Sequence, residues 1–123
     1  MRSAVCSLFL LLAICLSGQD MLTVPEKTGY QKTSLYSDVM DFIYKAQEKS
    51  NQIKILKLGL SFEGKLIPLI VISSDGFSSL LEYRASQKPA VLIVANIHAG
   101  EVEGKEAVQM LLRDFAQGKL INL

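Results

Sequence analysis

Beyond its first nineteen residues this chain has no cysteine. Cys6 and Cys15 both sit in an N-terminal stretch that reads as a secretory signal. There Arg2 precedes an apolar run from Ala4 to Leu16, broken only by Ser7, and the small residues Ser17 and Gly18 follow. Cuts after Ser17, Gly18 or Gln19 all fit, so residues 1–19 are expected to be a signal peptide and the product secreted or periplasmic. Ile14, bulky where a lipobox wants a small residue, argues against a lipid on Cys15. The apolar run falls short of the roughly 20 residues that spanning a bilayer takes, so no stable membrane anchor is expected. An exported chain without cysteine forms no disulfide. Its stability must come from an apolar core or a bound metal.

An excess of one charge is missing as well. Without Arg2 the 13 basic residues become 12, against 12 acidic ones, and that balance gives no footing for a nucleic-acid partner or an anionic membrane. Half the residues are hydrophobic and a fifth are charged, which excludes a disordered chain. A length of 123 residues suits one domain or part of one. There is no internal repeat and no low-complexity tract.

What is present alternates between helical and strand patterns. Residues 20–33 are polar, carry Pro25 and Gly29, and read as an extended leader. Ser34 is placed to cap a helix from Leu35 to Lys49, in which Leu35, Val39, Phe42, Ile43 and Ala46 recur at helical spacing. Ile53 to Leu60 and Leu66 to Ile72 read as two strands joined by the turn Ser61-Phe62-Glu63-Gly64-Lys65, an antiparallel hairpin in which Pro68 needs an edge or a bulge. A polar connection, Ser73 to Lys88, has room for a short helical turn. The unbroken apolar run Ala90 to Ala95 suits a strand covered on both faces. A last helix follows His98-Ala99-Gly100, with Val108, Leu111, Leu112 and Phe115 as its expected buried stripe and Gly118 at its end. Glu101, Glu103 and Glu106 crowd its first turns, where the helix dipole favours negative charge. The expected fold class is α/β, a mixed parallel and antiparallel sheet with flanking helices. That sheet is incomplete, because three strands leave the buried one short of neighbours. The residues from 34 to 123 therefore read as the N-terminal part of a larger catalytic domain.

Chemistry concentrates at one place. His98, the only histidine, ends the apolar run, and Glu101 follows three residues later where the helix begins. Ligands gather at the carboxyl ends of strands in α/β sheets. An imidazole and a carboxylate at this spacing can converge on one ion, with Gly100 between them allowing a tight turn. Zinc hydrolases commonly use two His and one Glu with water in the fourth position. The spacing alone leaves a second reading open, in which Glu101 serves only the helix dipole and His98 is a polar strand end. Glu103, Lys105 and Glu106 read as solvated helix positions. Asn96 either orients the loop or bonds a backbone group.

Two longer segments weigh between these readings. Val94-Ala95-Asn96-Ile97-His98-Ala99-Gly100-Glu101-Val102-Glu103-Gly104 closely resembles the first metal motif of the zinc carboxypeptidase family, the carboxypeptidase A-like metallopeptidases. Upstream, Leu58-Gly59-Leu60-Ser61-Phe62-Glu63-Gly64-Lys65-Leu66-Ile67 is similar to that family's hairpin, roughly G-x-S-x-x-G-[RK]-x-I. The helix start from Tyr36 to Phe42 also fits, and the resemblance runs from about Tyr30 to Lys119. It implies a carboxypeptidase-like fold and a peptide or protein substrate cut at its C-terminal residue. It also implies Zn2+ held by His98, Glu101 and a later histidine, a downstream glutamate as proton acceptor, and arginines that clamp the substrate carboxylate. No second histidine occurs here, and the base and the clamp are missing too, so this chain is expected to be inactive alone. Gly100 stands where many digestive members carry Arg, which points to non-digestive members. Two rivals remain. One is a deacylase or amidase of the aspartoacylase type on the same scaffold, whose motif usually has Gly and Asn between the ligands. The other is a secreted domain without catalysis.

Overall fold

The alternation in Ile53 to Ile72 builds the sheet. The computed structural model describes residues 21–76 and 79–120, so the expected signal, 1–19, lies outside the described residues. Strands β1 (Ile53–Leu60) and β2 (Leu66–Ile72) pair antiparallel, from Ile53 opposite Ile72 to Leu60 opposite Leu66. The register slips by one residue between Lys57 and Gly59, beside Pro68, which faces Lys57. A bulge is where a residue lacking an N–H does least damage to a ladder. The turn closes through Ser61 N–H donating to Lys65 O at 2.8 Å and Gly64 N–H donating to Ser61 O at 2.9 Å. Gly64 takes φ +74° there, a conformation that side chains resist.

Helix α2 (Tyr36–Lys49) lays its apolar stripe on this hairpin. Met40, Phe42, Ile43 and Ala46 are buried with Met21, Ile53 and Leu112, and Ile55, Leu66, Ile70 and Ile72 pack around them. Polar contacts fix the same docking. Gln47 Oε1 accepts from Ile55 N–H at 2.8 Å, and the Tyr36 hydroxyl donates to Leu66 O at 3.0 Å.

The leader departs from expectation. It is not wholly extended, because Val24–Lys27 forms one turn, α1. Thr23 accepts from Glu26 N–H while the Glu26 carboxylate accepts from Thr23 N–H at 2.7 Å, a reciprocal cap that holds Pro25 in the first turn. Ser34 also differs. The position flanking α2 is Leu35, whose N–H is taken by the Asp38 carboxylate at 2.8 Å, and Ser34 is buried with its own N–H and hydroxyl engaged elsewhere.

Those groups meet the last helix, α4 (Val102–Ala116). Its carboxylate Glu106 accepts from the Thr33 hydroxyl at 2.6 Å, Ser34 N–H at 2.7 Å, the Ser34 hydroxyl at 2.8 Å and Gln109 Nε2 at 3.0 Å. The expected solvated role for Glu106 is therefore wrong: the residue is buried, and its partners are supplied by a loop more than seventy positions away. Lys105 is drawn in too, donating to Ser34 O. Two turns later Arg113 Nη1 donates to both Glu26 oxygens, at 2.8 and 2.7 Å. These bonds roll the helix. Glu106, Gln109 and Leu112 face inward, while Val108, Leu111 and Phe115 are half-buried rather than forming the buried stripe. Gly118 closes the helix as expected. Its N–H donates to Phe115 O at 3.0 Å, Lys119 N–H reaches Asp114 O at 2.9 Å, and φ at Gly118 is +69°.

Between the hairpin and α4 the chain is less tied down. A short helix α3 (Leu80–Ser86) starts on Ser79, whose hydroxyl accepts from Glu82 N–H at 3.2 Å. Lys88 pairs with Asp75 across the connection. The run Ala90 to Ala95 then fails its expectation. It carries no strand pairing among the described residues, and Val91 and Leu92 are 87% and 78% exposed. The described sheet is the two-stranded antiparallel hairpin alone, so the parallel part of the expected mixed sheet is not formed here. A strand buried on both faces needs neighbours at both edges and helices above and below, and nothing among the described residues supplies them. No described helix is long and apolar enough to cross a membrane.

Candidate metal centre

The chain leaves the apolar run through a left-handed residue, Asn96, at φ +59°. It then closes a turn in which Glu101 N–H donates to His98 O at 3.0 Å. The two candidate ligands lie on this turn and meet. His98 Nδ1 is 2.6 Å from Glu101 Oε1, and His98 N–H donates to Glu101 Oε2 at 3.3 Å. Helix α4 begins at the next residue, and Glu101 does not cap it, because its carboxylate is turned back onto His98. The dipole reading of Glu101 is thus not its main engagement. Glu103 remains exposed in the first turn.

Both side chains are open to water, with 79% of the His98 side chain and 56% of the Glu101 side chain accessible. The hydrogen bond from the His98 ring, with that from the His98 backbone, holds the Glu101 carboxyl below its usual 4.5. At neutral pH this is an anion beside an imidazole nitrogen, an N/O donor pair of the kind zinc accepts. The pair fits part of a zinc site. Among the described residues no third His, Cys, Asp or Glu joins it.

Gly100 was expected to be what allows the turn. It takes no positive φ, and a Cβ there would meet nothing within 4 Å. The unusual backbone is two residues before His98, at Asn96, which sequence reasoning left without a firm role. Gly104, one turn into α4, is the glycine with a close neighbour: a Cβ on it would lie 3.4 Å from Ala95 Cβ and 4.0 Å from Asn96 N. The start of α4 therefore rides close against the end of the apolar run.

The zinc carboxypeptidase family model matches residues 39–119, which takes in the hairpin, the His98–Glu101 turn and α4. No curated protein and no solved structure gives a match. A match over well over half of the chain carries its family with it, and this chain belongs to the zinc carboxypeptidase family.

Proposed function

We propose that the chain carries the first two zinc ligands, His98 and Glu101, of a secreted or periplasmic metallocarboxypeptidase that removes C-terminal residues from peptides. The observation that supports this best is the 2.6 Å approach of His98 Nδ1 to Glu101 Oε1 on a turn that leads into a helix, inside the family match. In this reading the fold belongs to the larger mixed sheet of the family, with Ala90 to Ala95 as an inner strand once it has neighbours. Zinc, when bound, lowers the pKa of a coordinated water and polarises the scissile carbonyl. Glu101 contributes a full negative charge, because its contacts with His98 keep it ionised. His98 contributes an imidazole nitrogen, its ring already oriented by that carboxylate. The turn holds both donors close together, and the proton shared in their hydrogen bond has to leave for both to reach one ion.

The same reading makes the 123 residues alone incompetent for turnover. Two donors on one turn hold zinc loosely, since tight sites use several oriented ligands with supporting partners. The sequence has no second histidine. The non-catalytic alternative draws its support from this point, because no three-ligand group forms among the described residues.

The test pairs metal analysis with turnover. His98→Ala and Glu101→Ala should each remove the zinc that the wild-type chain takes up. Neither the wild type nor the variants should release C-terminal amino acids from a mixed peptide pool. Zinc retained in both variants would place the ion elsewhere. Zinc-dependent release that His98→Ala abolishes would show that these residues suffice for catalysis.

A further inference from the structure

Two residues before His98 the backbone takes a conformation that most residues avoid. Asn96 sits at φ +59°, in the left-handed region that L side chains resist and that glycine, then asparagine, tolerate best. It marks the junction between the extended run and the turn that carries His98. Its side-chain oxygen is buried and has no hydrogen-bond partner among the described residues. What is distinctive about Asn96 is its backbone. Helix α4 lies against this junction: a Cβ on Gly104 would sit 3.4 Å from Ala95 Cβ, at van der Waals contact. Gly100, inside the turn, has no such neighbour and no positive φ.

We propose that Asn96 is a positioning residue for the zinc pair: its left-handed backbone turns the chain so that His98 and Glu101 face each other, and its side-chain oxygen is dispensable. The inference rests on the zinc reading above only for its metal arm. It predicts an order of substitutions that follows tolerance of positive φ and not hydrogen-bonding capacity. Glycine should do as well as asparagine or better, alanine worse, and valine, β-branched, worst.

The experiment uses the 123-residue chain and the variants Asn96→Gly, Asn96→Ala and Asn96→Val. Core methyl signals of Ile53 and Leu112 serve as the folding control. In the metal-free arm, nuclear Overhauser contacts between the single imidazole and the Glu101 side chain should persist in Asn96→Gly, weaken in Asn96→Ala and vanish in Asn96→Val. In the metal arm, Zn2+ affinity is read by competition with a chromophoric chelator. Asn96→Gly should match wild type, Asn96→Ala should bind roughly fivefold more weakly, and Asn96→Val more than about tenfold. Loss of the contact in Asn96→Gly as deep as in Asn96→Ala would overturn the proposal in favour of the side-chain oxygen, and equal contacts in all four chains would overturn it outright. If the metal-free order holds while wild type shows no Zn2+ binding that depends on His98, the positioning role stands and the zinc reading fails.

Discussion

Two parts of the chain treat the same kind of residue in opposite ways. In the body formed by the leader, α2, the hairpin and α4, the innermost isoleucines and methionines are buried, with Ile53 0% exposed, Ile43 2% and Met21 7%, although Ile67 on β2 is exposed. In the stretch that leads to the candidate metal pair isoleucine faces water, with Ile93 at 56% and Ile97 at 70%. The body needs only a hairpin and helices that lie beside it, and these residues supply all of them. The stretch from Ala90 to Ile97 asks for strands on both sides. The candidate metal pair therefore sits beside the exposed part, while the helix that follows it, α4, is tied to the packed part by Glu106 on Ser34 and Arg113 on Glu26.

Core truncation should separate the two parts most sharply. Ile53→Ala is expected to cost about 2–5 kcal/mol, the usual range for emptying a well-packed aliphatic site. Val91→Ala should stay within about 0.5 kcal/mol, as exposed positions do. Urea unfolding of both variants checks the contrast, and similar losses would mean that the run is packed after all.

The next effect is at the anchor. Glu106→Ala strips an accepting carboxylate from buried Ser34 and should cost roughly 2 kcal/mol, the scale of orphaning a buried donor. Unfolding at pH 7 measures it, and Glu103→Ala, exposed on the same helix, is the comparison.

Acid should loosen the body before the run notices. Burial pushes the Glu106 carboxyl up, but bonds from Thr33 and Ser34 and the charge of Lys105 outweigh it and leave it below 4.5. Glu26 is likewise pushed up by burial and brought lower by Arg113 and Thr23. A carboxyl depressed in the folded state contributes stability that is fully present above its unfolded value and lost as pH falls through the folded one. Unfolding free energy should therefore hold above about pH 5 and decline below pH 4.5, with the decline blunted in the Glu26→Gln, Glu106→Gln double variant.

The smallest change in stability should come with a visible change in behaviour. Val91→Lys with Ile93→Lys should shift unfolding by no more than about 0.5 kcal/mol yet lower self-association in light scattering, because unpaired apolar segments invite pairing between chains. Unchanged scattering would show that the run is not the sticky part.

How much of this could be read from the sequence follows the same division. The hairpin was legible because alternation, Gly64 and Pro68 are local signals, and β2 falls on Leu66–Ile72 as the pattern indicates. Helix α2 and the Gly118 stop were legible for the same reason. Glu106 was not, because its burial depends on Thr33 and Ser34, whose approach no helical periodicity records. Nor was the one-turn helix at Val24–Lys27, since four residues leave no period to see. The apolar run was read as a strand covered on both faces; among the described residues it pairs with no strand and is exposed, because burial is a property of neighbours. At the site, spacing and motif singled out His98 and Glu101, and the structure brings their side chains into contact. The residue with the left-handed backbone was Asn96, not the glycine between the ligands.

The central claim is that His98 and Glu101 act on one ion together. Because His98 is the only histidine, its imidazole nitrogens give a single, unambiguous pair of 15N signals. Titrating the 15N-labelled chain with Zn2+ should move the Nδ1 resonance, and Glu101→Ala should abolish the shift at the same zinc concentration. An unmoved imidazole in the wild-type chain, or an equal shift in Glu101→Ala, would contradict the account.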